Sequence, residues 1–166
     1  MGRWRCILLS LVLLACPPMS TAAQPADLFD FWIGDWDVSW RAPDGSQGSG
    51  RNRIAKVLDG SVIEENFEET PDGKTPPLKG RSLSVLQKSG VWKQAWVDNQ
   101  GGYFSLTAQV DGDKRIFITD PVKDTAQRMV FHSIRKDALT WDWERSEDGG
   151  KTWKLLWRID YRRRSR

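Results

Sequence analysis

From Trp36 to the end of the chain, apolar and polar residues alternate with a period of two, and turn-forming residues break the alternation at short intervals. Leu139, Trp141 and Trp143 alternate with Thr140, Asp142 and Glu144. Trp153, Leu155, Trp157, Ile159 and Tyr161 alternate with Thr152, Lys154, Leu156, Arg158 and Asp160. A strand of this kind has one apolar and one wet face. The pattern predicts ten strands, at 36–42, 49–57, 61–68, 79–87, 91–98, 102–110, 114–120, 127–134, 138–145 and 152–161. Between them stand Pro43-Asp44-Gly45, Asp59-Gly60, Ser89-Gly90, Asn99-Gln100-Gly101-Gly102, Asp111-Gly112-Asp113, Lys136-Asp137 and Asp148-Gly149-Gly150, all with turn chemistry. The one long break, Thr70 to Leu78, holds Pro71, Gly73, Pro76 and Pro77 and reads as a flexible loop. Ahead of the first strand, Asp27 to Ile33 predicts one or two helical turns capped by Asp27.

Connections this short join antiparallel neighbours as hairpins. A long meander does best to close, because closure removes both exposed edges. The predicted fold is therefore all-β: an up-and-down antiparallel barrel of about ten strands with a short N-terminal helical turn. Such a barrel encloses a cavity suited to one small ligand. A sandwich is the alternative, and the scarcity of long crossover connections counts against it.

The N-terminus has a different character. Arg3 and Arg5 precede an apolar run from Ile7 to Ala15, and Ser20, Thr21, Ala22 and Ala23 follow, the layout of a signal peptide. That nine-residue run is too short to span a bilayer, which takes roughly 20 residues. Cleavage after Ala23 would make 1–23 the signal peptide and 24–166 a single domain of 143 residues beginning at Gln24. A competing site, Leu13-Leu14-Ala15-Cys16, resembles a lipobox that would lipidate Cys16, although Pro17 is an unusual neighbour for it. Either route leads to the periplasm or beyond. Cleavage after Ala23 also removes both cysteines, Cys6 and Cys16, and with them disulfides and thiolate chemistry. Removing Arg3 and Arg5 from the 25 basic residues leaves 23 against 22 acidic, a near-neutral surface unsuited to general nucleic-acid binding. Basic charge gathers only at Arg162, Arg163, Arg164 and Arg166. That tail could touch anionic lipid or polysaccharide, but a frayed, solvated terminus is the favoured reading.

Phe31-Trp32-Ile33-Gly34-Asp35-Trp36 opens the domain, with a helical turn leading through Gly-x-Trp into the first strand. It is similar to the start of calycin-type barrels such as lipocalins, fatty-acid-binding proteins and nitrobindins, which implies that Trp36 closes one barrel end. Ser61-Val62-Ile63-Glu64-Glu65-Asn66-Phe67, Gly80-Arg81-Ser82-Leu83-Ser84, Trp92 to Asp98 followed by Gly101-Gly102, and Asp148 to Trp153 occur in order after it. Together they resemble the secreted bacterial family called domain of unknown function 1579. That resemblance implies a lipocalin-like barrel and brings no established activity. The nitrobindin likeness would suggest haem on a histidine, but the single histidine, His132, lies in the apolar run Met129 to Ile134 without the surrounding nitrobindin motif. No cofactor and no metal are predicted. Ser146-x-Asp148-x-Gly150-x-Thr152-Trp153 is an Asp box, whose Asp ties down a tight hairpin; a sialidase propeller would need several copies.

The better clue is polarity inside the strands. Glu65 lies between Ile63 and Phe67, Gln94 between Trp92 and Trp96, and Asp98 ends that same face. Gly80, Ser82 and Ser84 put small residues on the face of a neighbouring strand and would leave room inside. Glu65, Ser82, Gln94, Trp96 and Asp98 are accordingly the candidate ligand-binding residues. A buried polar network without a ligand is the competing account. For most of the nine tryptophans after residue 23, core packing is the expected role. The chain has no Gly-x-Ser-x-Gly elbow, Walker loop, His-Glu-x-x-His or calcium loop. Three functions follow: a barrel binding a small, partly apolar molecule; an enzyme using Glu65 and Asp98 as acid and base; or a filled barrel whose outer surface or Arg tail binds a partner.

Overall fold

The computed structural model describes residues 23–120 and 122–165, so the predicted signal peptide up to Ala22 and the lipidation site at Cys16 lie outside the described residues. Among the described residues the chain forms a single 3₁₀ turn (Asp30–Trp32) and ten strands: β1 (Gly34–Arg41), β2 (Gln47–Val57), β3 (Val62–Glu69), β4 (Lys79–Leu86), β5 (Trp92–Asp98), β6 (Tyr103–Asp111), β7 (Lys114–Thr119), β8 (Ala126–His132), β9 (Ala138–Ser146) and β10 (Lys154–Arg163). Every strand pairs antiparallel with its sequence neighbour, and β1 closes the barrel on β10. All ten predicted strands are present, with ends within two residues of their predicted positions.

Three local expectations are corrected. Asp27 does not cap the N-terminal turn: Phe29 occupies the cap position without a side-chain bond, and the Asp27 carbonyl accepts the Asp30 amide at 3.0 Å. Burial of Phe29 and Trp32, rather than capping, holds so short a turn. On β10 the alternation is interrupted, because a bulge shifts the register between Leu155 and Trp157 and leaves both Leu155 and Leu156 exposed. Period two alone cannot reveal an inserted residue.

The third correction concerns the Arg tail, which is not frayed through Arg164. Arg163 lies over the Trp36 ring at 4.1 Å. Its guanidinium donates to the carbonyls of Ile33 (2.7 Å), Phe31 (3.2 Å) and Lys136 (2.9 Å). The Arg164 amide donates to the Asp35 carbonyl at 2.9 Å, and its side chain pairs with Asp37 at 3.3 Å. The planar fork satisfies carbonyls that the 3₁₀ segment leaves free. Gly34, at φ +139°, is required beside it, since a Cβ there would overlap the guanidinium.

Trp36 donates its indole N–H to the Trp32 carbonyl (2.8 Å) and closes this end of the barrel. Phe29 stacks on Phe117 (centroids 4.4 Å apart, 14° between planes) and meets Trp92 edge-on at 5.6 Å, while Trp32 meets Phe131 at 5.0 Å. One end of the barrel is thus packed solid with aromatic rings.

Replacing Arg163 by Ala removes a cation–π contact and several charge-assisted hydrogen bonds at once, so urea unfolding should show a loss of about 3 kcal/mol. Arg163→Lys should recover only a small part, because an ammonium cannot serve the same fork. Arg162→Ala, on an exposed side chain, should stay within about 0.5 kcal/mol of wild type.

Candidate functional site

Alternation along β3, β4 and β5 turns Ile63, Glu65 and Phe67, then Gly80, Ser82 and Ser84, then Trp92, Gln94 and Trp96 toward the interior. The registers set Glu65 opposite Ser82, Ser82 opposite Trp96, Ser84 opposite Gln94, and Gly80 opposite both Phe67 and Asp98. Their polar groups form one hydrogen-bonded string. Ser82 Oγ donates to Glu65 Oε2 (2.7 Å), and Asn52 Nδ2 donates to Glu65 Oε1 (2.7 Å) and to the Tyr161 hydroxyl (2.9 Å). Gln94 Nε2 donates to the hydroxyls of Ser82 (3.2 Å) and Ser84 (3.0 Å).

Glu65 is 5% exposed, and burial pushes its pKa up to about 7 against the opposing bonds from Ser82 and Asn52. Burial, and then the neighbouring Glu65 charge, likewise raise the Tyr161 hydroxyl well above its ordinary value. Asp98 behaves oppositely. Burial raises its pKa, but the Trp96 indole N–H on Oδ2 (2.9 Å) and the amides of Gly102 (2.8 Å) and Gln100 (2.9 Å) on Oδ1 outweigh that and hold it below the usual range.

Beside the string, at the end opposite Trp36, lies a cavity of about 140 Å³, with Glu65 and Asp98 in its wall. Six aromatic rings encircle it. Trp96 sits 6.4 Å from Phe67, and Phe67 meets Trp157 at 6.0 Å and 87°. Trp157 meets Trp141 at 5.8 Å and 87°; Trp141 lies parallel to Trp143 at 6.3 Å, and Trp143 meets Phe104 at 5.1 Å. Phe104 stands opposite Trp96 in the β5–β6 register, which completes the circuit. The four indoles are only partly buried, so this end communicates with solvent.

The five residues singled out from the sequence divide here. Glu65, Trp96 and Asp98 line the cavity, whereas Ser82 and Gln94 lie behind its wall and reach it only through Glu65. The room left by Gly80 is filled by the Trp96 indole, whose ring a Cβ at that position would overlap. Asn52, Phe67, Phe104, Trp141, Trp143, Trp157 and Tyr161 were missed as site residues. Alternation marks all of the aromatic ones as inward-facing, but it cannot separate a filled end from an open one. Of the nine tryptophans, Trp32, Trp36, Trp40 and Trp92 are buried, Trp153 belongs to the last hairpin, and the other four line the cavity.

His132 lies away from the cavity, beside Asp142 (3.1 Å), a carboxylate that Arg158 also grips with two bonds of 2.7 and 2.6 Å. A haem ligand inside the barrel cannot come from it. The Asp box has the structural role expected: Asp148 accepts the amides of Lys151 (3.0 Å) and Thr152 (2.9 Å) and the hydroxyls of Ser146 (2.8 Å) and Thr152 (2.6 Å). No helix among the described residues is long and apolar enough to cross a membrane.

The chain matches no protein-family model and no curated protein sequence. Its fold is similar to that of solved structures. The M. tuberculosis protein Rv2717c aligns with a TM-score of 0.56 and 12% identity over 85% of this chain and 98% of its own. The S-type phycobiliprotein lyase CPES from Guillardia theta aligns with a TM-score of 0.52 and 16% identity over 84% of this chain and 92% of its own. At such identities the likeness carries the fold alone: a closed, ten-stranded, calycin-like β-barrel.

Glu65 sets a pH dependence of stability. Its carboxyl titrates at about 7 in the folded chain against 4.5 when exposed, so the folded state holds the proton more tightly. The groups facing it, Asn52 on β2, Ser82 on β4 and Tyr161 on β10, are all uncharged near neutrality. The contribution is therefore fully present below the exposed value and lost as pH rises through the folded one. The loss is on the order of 3 kcal/mol. Urea midpoints at pH 5 and pH 8 should differ accordingly in wild type, and Glu65→Gln should remove most of the difference.

Proposed function

We propose that this barrel binds one small, largely apolar molecule within its aromatic girdle, with Glu65 as the polar contact in the wall. The observation that carries the reading is the cavity itself: one end of the barrel is filled by stacked rings, and the other holds a cavity of about 140 Å³, open to solvent, between six rings and two carboxyls. An apolar protein cavity of roughly 150 Å³ admits benzene, so a single ring or a short branched chain is the size that fits. Ring stacking adds about 1 kcal/mol beyond the area buried. Trp96 and Glu65 would contact the ligand, Asp98 would sit at its rim, and Ser82 and Gln94 would hold Glu65 in place.

Export belongs to the same proposal, with 1–23 removed as a signal peptide and the protein placed in the periplasm or beyond. Gln24, which that cleavage would leave first, is anchored in the barrel: its amide donates to the Gly90 carbonyl (2.7 Å), its Nε2 to the Ala108 carbonyl (3.0 Å), and its Oε1 accepts the Trp92 amide (2.8 Å). An N-terminal ammonium would keep the first bond. Likeness to the domain of unknown function 1579 family fits this placement and adds no activity.

Acid–base catalysis is a second reading, supported by the opposite pKa shifts of Glu65 and Asp98 around one cavity. Binding is favoured over it because both Asp98 oxygens are already engaged by three N–H donors that fix the β5–β6 turn.

Native mass spectrometry of the exported protein should show a chain beginning at Gln24, partly carrying a small non-covalent adduct; a diacylated Cys16 would overturn the cleavage assignment. In vitro, benzyl alcohol should shift tryptophan fluorescence saturably. Gly80→Ala, which forces the Trp96 ring off its seat, should weaken that response about tenfold, since overpacking of this kind costs about 1–3 kcal/mol. Equal binding by both proteins would place the ligand elsewhere.

A further inference from the structure

We infer that the natural occupant of this cavity is an organic cation, a small amine or alkylated ammonium held between the tryptophan faces with its charge toward Glu65; the inference rests on the cavity-binding reading above. Three independent features point there.

The first is the sign of the lining. Glu65 and Asp98 are in the cavity wall, and among the described residues no Lys, Arg or His is. With 25 basic residues in the chain, that exclusion does not follow from scarcity.

The second is the treatment of carboxylates. Two other shielded carboxylates have an Arg beside them: Asp142 has Arg158 at 2.6 Å, and Glu144 has Arg128 at 2.6 Å. Glu65 is as buried as Asp142 yet has only the neutral donors Asn52 and Ser82. A buried charge is normally paired. An ammonium, which donates and does not accept, supplies the missing partner.

The third is the shape of the girdle. Trp141 and Trp143 lie parallel within 4°, and Trp157 stands at 87° to Trp141, so the indoles lining the cavity stand in two nearly perpendicular orientations. Indole faces carry the negative part of the ring quadrupole, which attracts a cation and does nothing comparable for an anion.

The test compares three molecules of one shape, benzylamine (protonated throughout), benzyl alcohol and benzoate, by calorimetric titration into the mature chain at pH 5.5 and pH 8. Benzylamine should bind about tenfold more tightly than the alcohol at pH 8, and benzoate most weakly. Its affinity should fall about tenfold at pH 5.5, with proton release on binding, because Glu65 must lose its proton to pair. The alcohol should show no such fall. Glu65→Gln should bring benzylamine down to the affinity that the same variant shows for the alcohol and abolish the pH dependence of benzylamine binding. If that variant does not fold, the wild-type pH pair alone decides. Alcohol binding as tightly as benzylamine at pH 8 would overturn the cation inference while cavity binding stood. Failure of all three to bind would overturn both.

Discussion

Pairing of β1 with β10 turns a meander with two unsatisfied edges into a closed surface with an inside, and everything else in the molecule presupposes that inside. Arg163 locks the seam by combining a stacked contact on Trp36 with bonds to the carbonyls of Phe31 and Ile33, so the last strand, the first strand and the N-terminal turn are fixed together. An open sheet would expose two rows of backbone donors and acceptors and would leave the alternating tryptophans half in water. Closure also joins residues more than a hundred positions apart, Trp36 with Arg163, the widest strand pairing among the described residues. The short hairpins can form locally before it, but the interior exists only after it.

Ten strands enclose more space than a compact core of this length fills uniformly. At the sealed end the N-terminal segment inserts Phe29 and Trp32 as a plug, and those rings meet Phe117, Phe131 and Trp92. At the other end no segment of the described residues is inserted in this way, and the rings of Trp96, Phe104, Trp141, Trp143 and Trp157 stand around the perimeter. The same residue type therefore does two jobs in one barrel. Trp40 is the exception at the open end, buried by its edge contact with Trp157 at 5.2 Å.

The polar string from Tyr161 through Asn52, Glu65 and Ser82 to Gln94 lies in the same low-dielectric interior, where unsatisfied groups are most costly. It is well supplied with acceptors and poorly supplied with charge-compensating donors. Burial raises the Glu65 pKa, and the open end has two carboxyls within an aromatic wall. Asp98, the second of them, is fixed by turn amides at the rim.

Sequence by itself determined the number of strands, their order, their antiparallel pairing, and the inward faces of β3, β4 and β5, because period-two alternation and turn chemistry are local properties. It also marked Glu65 and Gln94, since a polar residue between inward apolar ones stands out along a single strand, and with them Trp96 and Asp98 on the Gln94 face. It could not show that Ser82 and Gln94 lie behind the wall while Trp141, Trp143 and Trp157 lie in it, nor that Asn52, some 13 residues from Glu65 in sequence, completes the carboxyl's partners. Those assignments depend on how far along the barrel axis each inward residue sits relative to the plug. The shift at the Leu155–Trp157 bulge and the anchoring of Arg163 were hidden for a related reason. Alternation tells which way a side chain points, while only the closed barrel, with its register and its one filled end, decides what it meets there.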